Sequence, residues 1–317
     1  MNAPRALVTG ATGFIGRHLV DGLLAAKTPV IALVRPGSYV PEEWRGRVPC
    51  IACADWSEGG LRAALASQPF DVVFHLATYG VLPADRDPDL MLQVNVGLPA
   101  FFVHLCKERA AGLVMAGTFS EYQRPADPRP LTEESALETG KIYGASKAAG
   151  GIIASALARS LGVNLRLLRF FKVYGEGEAP HRLLPSLVAG LARRERVPLS
   201  EGTQVRDFIH VDDVVQACMA AGADLCSGSR SLTATWNVCT GVGHSVRTFA
   251  ELVAQAMGAS HQLLGFGDLP MREDDEPYLV GDGERMHREL GWRSKRDLAA
   301  GIRAAVSNLM ASRRAAV

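Results

Sequence analysis

Three glycines, at positions 10, 13 and 16, follow the short apolar run Ala6-Leu7-Val8 and lead into a helical stretch beginning at Phe14. With no side chains there, the backbone can come close to a bulky anion, whose charge is met by the free N–H groups and dipole of the helix N-terminus. A glycine-rich turn without a ligand is the alternative, but three glycines at this spacing weaken a helix unless something else requires them. The segment Gly10-Ala11-Thr12-Gly13-Phe14-Ile15-Gly16 is therefore expected to hold a dinucleotide pyrophosphate. Its spacing differs from G-x-G-x-x-G, since each glycine lies three residues from the next.

The first half of the chain repeats one pattern. β-rich runs at Arg5 to Thr9, Val30 to Val34, Val48 to Ala52, Val72 to Leu76, Gly112 to Ala116 and Leu165 to Phe170 alternate with helix-length segments. These segments are Phe14 to Ala26, Leu61 to Ser67, Asp89 to Arg109 and Tyr143 to Leu161. Such alternation builds a parallel sheet with helices on its faces. Strands buried on both faces read as continuous apolar runs, so the segment from Asp71 to Ala77 fits a central strand. The predicted fold class is α/β, a Rossmann-type doubly wound parallel sheet with a smaller α/β substrate-binding domain.

After Phe171, Pro180, Pro185 and Pro198 interrupt the pattern around a helix at Leu183 to Arg194. Helices at Ser245 to Met257 and from Lys295 follow, while Phe208 to Ala221 and Thr235 to Val238 are expected to return to the main sheet. The expected division is residues 1–171 plus about 208–240 for the dinucleotide, and about 172–207 plus 241–317 for a second ligand.

Composition narrows the function. The 317 residues carry 34 Lys plus Arg against 33 Asp plus Glu, a formal net charge of +1. No global basic field is available for nucleic acid or an anionic membrane, so any anionic ligand must meet a local cluster. Six cysteines are too sparse for a disulfide scaffold, and Cys50 and Cys53 lack further zinc-ligand partners, so no metal site is expected. No apolar stretch approaches the length of a membrane span, and no signal-like segment opens the chain. A reduced, cytoplasmic protein is expected.

About 20 residues past the glycine turn, NAD-binding folds place an acid on the adenosine ribose. Here Val34-Arg35-Pro36-Gly37-Ser38 stands in its place. An arginine can grip a 2′-phosphate through two parallel hydrogen bonds, which predicts NADP(H) rather than NAD, with Arg35 and Ser38 as contacts. The alternative for Arg35 is a solvated strand-end side chain. Further on, Tyr143 and Lys147 stand four residues apart on one helical face. A lysine cation near a phenol is expected to pull its pKa of about 10 toward neutrality and make it a usable proton donor or acceptor. Thr118, just past the strand Leu113 to Ala116, falls at the sheet edge where ligands collect.

In these elements together the chain closely resembles the extended short-chain dehydrogenase/reductase family of nucleotide-sugar epimerases, dehydratases and reductases. The marks are the glycine turn, Asp55, His75-Leu76-Ala77, Asn95-Val96-x-x-Pro99, Gly117-Thr118-Phe119-Ser120-Glu121-Tyr122, Tyr143-x-x-x-Lys147, Arg169-x-Phe171-Lys172-Val173-Tyr174-Gly175 and Arg206 through Asp213. The resemblance implies catalysis by Thr118, Tyr143 and Lys147. It implies cofactor contacts from Asp55 to the adenine and from Trp56, Leu76, Ala77, Thr78, Asn95, Phe170 and Val173. Substrate contacts fall to Tyr79, Thr118, Phe119, Ser120, Lys172, Arg182, Arg206 and Arg272, with Lys172, Arg206 and Arg272 on a diphosphate. Lys172 departs from the family pattern, which commonly has asparagine there. Core packing and turn support are the alternative roles for His75 and Asn95.

Within the family, the nearest subgroups resemble GDP-4-keto-6-deoxymannose reductases and CDP-abequose-synthase-like 4-ketoreductases. A 4,6-dehydratase would carry Asp-Glu after the threonine, where Phe119 and Ser120 stand. Glu121 comes one residue later, where strand geometry would aim it elsewhere. A 3,5-epimerising reductase of the fucose-synthase type would need a cysteine acid/base near Ser120, and none is present. The expected activity is NADPH-dependent reduction of the C4 ketone of a nucleoside-diphosphate 4-keto-6-deoxyhexose. The alternatives are a 4-epimerase with retained NAD and a non-catalytic dinucleotide sensor. Small residues at Ala148, Ala149, Gly150, Gly151 and Ala154 permit close helix approach, and a homodimer is expected.

Overall fold

The computed structural model of the protein describes residues 4–315 apart from 83, 86, 126, 228–230 and 272–274. Six strands, β1 (Ala6–Thr9), β2 (Val30–Val34), β3 (Cys50–Ala52), β4 (Val72–His75), β5 (Gly112–Thr118) and β6 (Leu165–Phe170), join the later strand Thr233–Val238 in one sheet. The order runs Thr233–Val238, β6, β5, β4, β1, β2, β3, and every neighbouring pair is parallel. β4 lies at the centre, as its unbroken apolar run predicts. The winding reverses between β1 and β4, where Thr9 pairs with His75, and such a switch point opens a crevice at the carboxyl ends of the strands.

Side chains leave a strand alternately to its two faces, and the core divides accordingly. Ala6, Val8, Val72 and Phe74 pack with Leu19, Leu23, Val214 and Cys218 under the helices Phe14–Ala25 and Val211–Cys226. Leu7 and Val73 pack on the other face with Leu61, Phe102, Leu105 and Ala154, under Glu58–Leu65, Pro88–Arg109 and Ile142–Leu161. A third apolar cluster gathers Leu187, Phe208, Phe249 and Ile302 among the helices Leu183–Ala192, Val246–Ala256 and Leu298–Ala315.

Three differences from the sequence reading have local causes. Phe208–His210 does not return to the main sheet but pairs with Lys172–Tyr174. Its continuation, Val211–Cys226, is a helix laid on that sheet, because the His210 side chain accepts the Asp212 N–H and Asp212 and Asp213 supply acid to the first turn. β5 runs on to Thr118, so that residue ends the strand rather than following it. The helix Pro88–Arg109 is long and apolar enough to cross a membrane, against the expectation that no stretch approaches that length. Half of its apolar window is buried inside the fold, with Phe102, Val103 and Cys106 in the core, as befits a central helix.

Candidate active site

The glycine turn caps β1 and faces the crevice. Gly10 adopts φ +66°, and a Cβ there would lie 2.8 Å from Ala77 N. At Gly16 a Cβ would sit 2.0 Å from the Gly10 carbonyl oxygen, so only glycine lets the helix meet the turn this closely. The helix Phe14–Ala25 starts at Gly13 with no side-chain cap and no acidic residue in its first turn. Its leading N–H groups are thus uncommitted to any side chain and carry the positive end of the dipole, which suits a dinucleotide diphosphate.

A cavity of about 500 Å³ opens beside this turn. Its walls bring together Gly10, Gly13, Phe14, Ile15, Gly16, Leu76, Thr78, Thr118, Phe119, Ser120, Tyr143, Lys147, Phe170, Lys172, Val173 and Arg182. Residues from nearly the whole first two thirds of the chain meet there because β1, β4, β5 and β6 all end at this edge.

Tyr143 occupies the first turn of Ile142–Leu161, and its phenol shares the cavity wall with Thr78 and Thr118. Burial pushes the phenol above its ordinary range, an effect that the two threonines and the Arg182 charge only partly offset. This corrects the expectation that Lys147 draws the phenol toward neutrality. The Lys147 ammonium instead donates to the Ala116 carbonyl at 2.7 Å, because its long stem reaches back to the end of β5. Burial lowers the pKa of Lys147, against the attraction of Glu121.

Glu121 is a second correction. The chain leaves β5 in a 3-10 turn, Phe119–Glu121, so alternation along a strand no longer applies. The buried carboxylate folds back, accepting the Thr118 N–H at 2.9 Å and the Arg169 Nε–H at 2.7 Å. Arg169 also donates to the Tyr122 hydroxyl and the Glu133 carbonyl, and Tyr122 donates to Asn237. This network, which sequence reasoning missed, fixes the loop that presents Thr118 and Ser120 to the cavity.

Other expected contacts are engaged elsewhere. Asn95, buried in a π turn at Gln93–Gly97, accepts from the Thr78 hydroxyl and Tyr79 N–H and donates to the Tyr79 carbonyl and Ser146 hydroxyl. It splints the Thr78–Tyr79 loop and does not line the cavity; its four partners leave nothing for a cofactor. Tyr79, Ala77 and Thr12 also lie outside the cavity wall, and the Ala77 N–H donates to Thr9. The Asp55 carboxylate accepts from the N–H and hydroxyl of Ser57, which hold it below the usual carboxylate range. Trp56 donates to the Cys53 carbonyl and lines a separate groove with Phe101 and His104. Arg206 is buried against Asp275 and donates to the Glu276 carbonyl, so its charge is already partnered. Arg272 lies outside the described residues.

Arg35 and Ser38 sit in the turn after β2, where the Ser38 N–H donates to the Arg35 carbonyl at 3.1 Å. Arg35 is exposed, and among the described residues nothing pairs with its guanidinium. His75 is buried on β4 with Nδ1 2.8 Å from the Thr9 hydroxyl oxygen, and burial pushes its pKa down to about 3. Among the described residues, no three His, Cys, Asp or Glu side chains are arranged to hold a metal ion, and all six cysteines are free.

The sequence reading did not assign Val81, Leu82, Ala116, Gly117, Phe171, Glu178 or Ala179 to the site, and of these Glu178 alone is charged. Glu178 lines the wall with Lys172 and Arg182, and burial raises its carboxyl to about 7 despite those two charges. The signal lay in Gly175 and Gly177, both at positive φ, which turn the chain sharply enough to fold Glu178 inward.

Residues 6–239 match the family described as NAD dependent epimerase/dehydratase family. The chain is 30% identical to a UDP-glucose 4-epimerase from Mycolicibacterium smegmatis, covering 94% of this chain and 96% of that protein. It is 29% identical to a dTDP-glucose 4,6-dehydratase from Streptomyces griseus (95% and 92% covered), and 26% identical to a GDP-6-deoxy-D-mannose reductase from Pseudomonas aeruginosa (96% of each). Among solved structures, MoeE5 in complex with UDP-glucuronic acid and NAD superposes with a TM-score of 0.82 at 29% identity, over 97% of this chain and 99% of that one. The parallel sheet, the glycine turn and the matched span agree: the chain belongs to the NAD-dependent epimerase/dehydratase family, within the extended short-chain dehydrogenases/reductases.

Proposed function

We propose that this protein is an enzyme acting on nucleotide sugars, and that it reduces the C4 ketone of a nucleoside-diphosphate 4-keto-6-deoxyhexose with NADPH. The observation carrying this reading is Tyr143 in the cavity wall beside Thr78 and Thr118, its phenol pKa raised by burial. Such a phenol rests protonated, the state needed to donate to an alkoxide forming from a ketone. The cofactor, when bound, supplies hydride at C4. Tyr143 gives its proton to the developing oxygen and Thr118 hydrogen-bonds that oxygen, while Lys147, held on the Ala116 carbonyl, supplies a buried cation on the same helical face to offset the phenolate left behind. Phe14, Leu76 and Phe170 give the cavity an apolar side on which a nicotinamide ring would lie.

The dehydratase alternative lacks its machinery. Phe119 and Ser120 offer no titrating acid or base, and both Glu121 oxygens are spent on Thr118 and Arg169. Arg35, exposed and unpaired among the described residues, supports the preference for NADP(H) through a bidentate grip on the 2′-phosphate. Lys172 and Arg182 serve the substrate diphosphate. The proposed division follows the sequence boundaries, with residues 1–171 and about 208–240 holding the cofactor and the remainder the sugar nucleotide. Pairing of Pro88–Arg109 and Ile142–Leu161 between two copies, and a cytoplasmic setting, complete the reading.

A second reading, 4-epimerisation with retained NAD, is favoured by the epimerase relatives and by the NAD in MoeE5. Denaturing the purified protein and identifying released nucleotide separates the two. Stoichiometric NAD supports the epimerase. Protein free of nucleotide that oxidises NADPH only when given a 4-keto sugar nucleotide supports the reductase.

A further inference from the structure

One stretch of the cavity wall holds three charged side chains that do not pair among the described residues. The side chains of Lys172 and Arg182 have no hydrogen-bonded or ion-paired partner among the described residues, and Oε2 of Glu178 is buried without one. The Gly175 N–H and the charges of Lys172 and Arg182 favour the ionised carboxylate, and burial outweighs them. Three such groups around open space form a site for something not belonging to the chain, since buried polar atoms are ordinarily satisfied.

The turn carrying Glu178 is fastened in place. Arg17 donates to the Gly177 carbonyl at 3.2 Å, and His18 Nε2 lies 2.8 Å from the Glu176 carbonyl oxygen. At Gly177, φ is +84° and a Cβ would meet the Arg17 guanidinium at 2.4 Å, while a Cβ at Gly175 would meet Val211 at 2.7 Å. The carboxyl is therefore aimed at the cavity by its backbone. Its charged surroundings are Lys172 from the strand Lys172–Tyr174 and Arg182 from the start of the next helix, with Arg17 and His18 from Phe14–Ala25 and Glu176 on the turn itself. Arg206 and Asp275 lie beyond Lys172 and act on it.

We propose that Glu178 makes the substrate site proton-linked: its carboxyl takes up a proton as a nucleoside diphosphate settles between Lys172 and Arg182, and then donates a hydrogen bond to a phosphate oxygen. The inference deepens the nucleotide-sugar reading and rests on it. An ionised Glu178 beside the diphosphate would repel it, whereas a protonated one adds a donor to the two cations. The carboxyl already stands near neutrality in the free protein, at about 7, so the added anionic charge suffices to complete its protonation.

The test uses the whole chain and UDP-glucose, dTDP-glucose, GDP-mannose and CDP-glucose, whose diphosphates do not titrate between about pH 6 and 9. Calorimetry in two buffers of different protonation enthalpy counts the protons exchanged. For the tightest ligand, uptake approaching one proton above about pH 7.5 is expected, with affinity falling about tenfold from pH 7.5 to 8.5. In Glu178→Gln, the uptake disappears and affinity changes by less than about twofold over that range. Binding to the wild type without uptake overturns the proposal even if the variant fails to fold. A variant that keeps the wild-type slope also overturns it and assigns the titration to Lys172. Binding of none of the four overturns the nucleotide-sugar reading itself, and the proposal with it.

Discussion

Glu121 and Arg169 meet at 2.7 Å beneath the end of β5, both buried, and the same carboxylate holds the Thr118 N–H. The pair ties a cavity residue to β6, the neighbouring strand. Removing one partner strands a buried charge, which costs about 3–5 kcal/mol. Glu121→Ala is expected to lose stability of that order by urea denaturation, and to reduce turnover further as Thr118 drifts. Equal stability would show that the pair is dispensable.

Tyr143→Phe removes the proposed proton donor with little change of shape. Turnover should fall by about 10²–10⁴-fold while sugar-nucleotide affinity stays within a few-fold. Thr118→Val tests the other hydroxyl, with an expected loss of about 10²-fold confined to kcat. Steady-state kinetics with calorimetric binding separates the two effects.

Arg35→Asp replaces a phosphate-gripping cation with a repelling anion. The ratio of kcat/KM for NADPH over NADH should drop by at least about tenfold, the worth of one charge-assisted hydrogen bond. An unchanged ratio would make Arg35 a solvated strand end.

His75 links stability to acid. Its folded pKa, pushed down to about 3, lies below the ordinary value of 6.5, so the unfolded chain binds more protons between the two. Its contribution is fully present above about pH 6.5 and is lost as pH falls toward 3. Thermal melts from pH 8 to 4 should show this loss, and His75→Asn should flatten the acid limb. An unchanged limb would assign it to other groups.

The sheet was legible because burial on both faces leaves a local mark: β4 reads as an unbroken apolar run and lies at the centre. The glycine turn was legible for a similar reason, since the close approach of Gly16 to Gly10 excludes any other side chain. Glu121 was misjudged because the 3-10 turn that redirects it is held by Arg169, 48 residues away. Asn95 shows the same limit: its partners at Thr78, Tyr79 and Ser146 come from two other segments that only the assembled fold brings beside it. Lys147 marks another, because helical spacing places a stem on a face but not the end of a flexible chain.

The fastening of Gly177 and Glu176 to Arg17 and His18 bears on the order of events in a catalytic cycle. One helix begins at the glycine turn and, a turn later, braces the loop that carries Glu178. Under the proposed reading, the element that meets the cofactor also sets the posture of the wall meant for the sugar nucleotide, so cofactor binding is expected to come first.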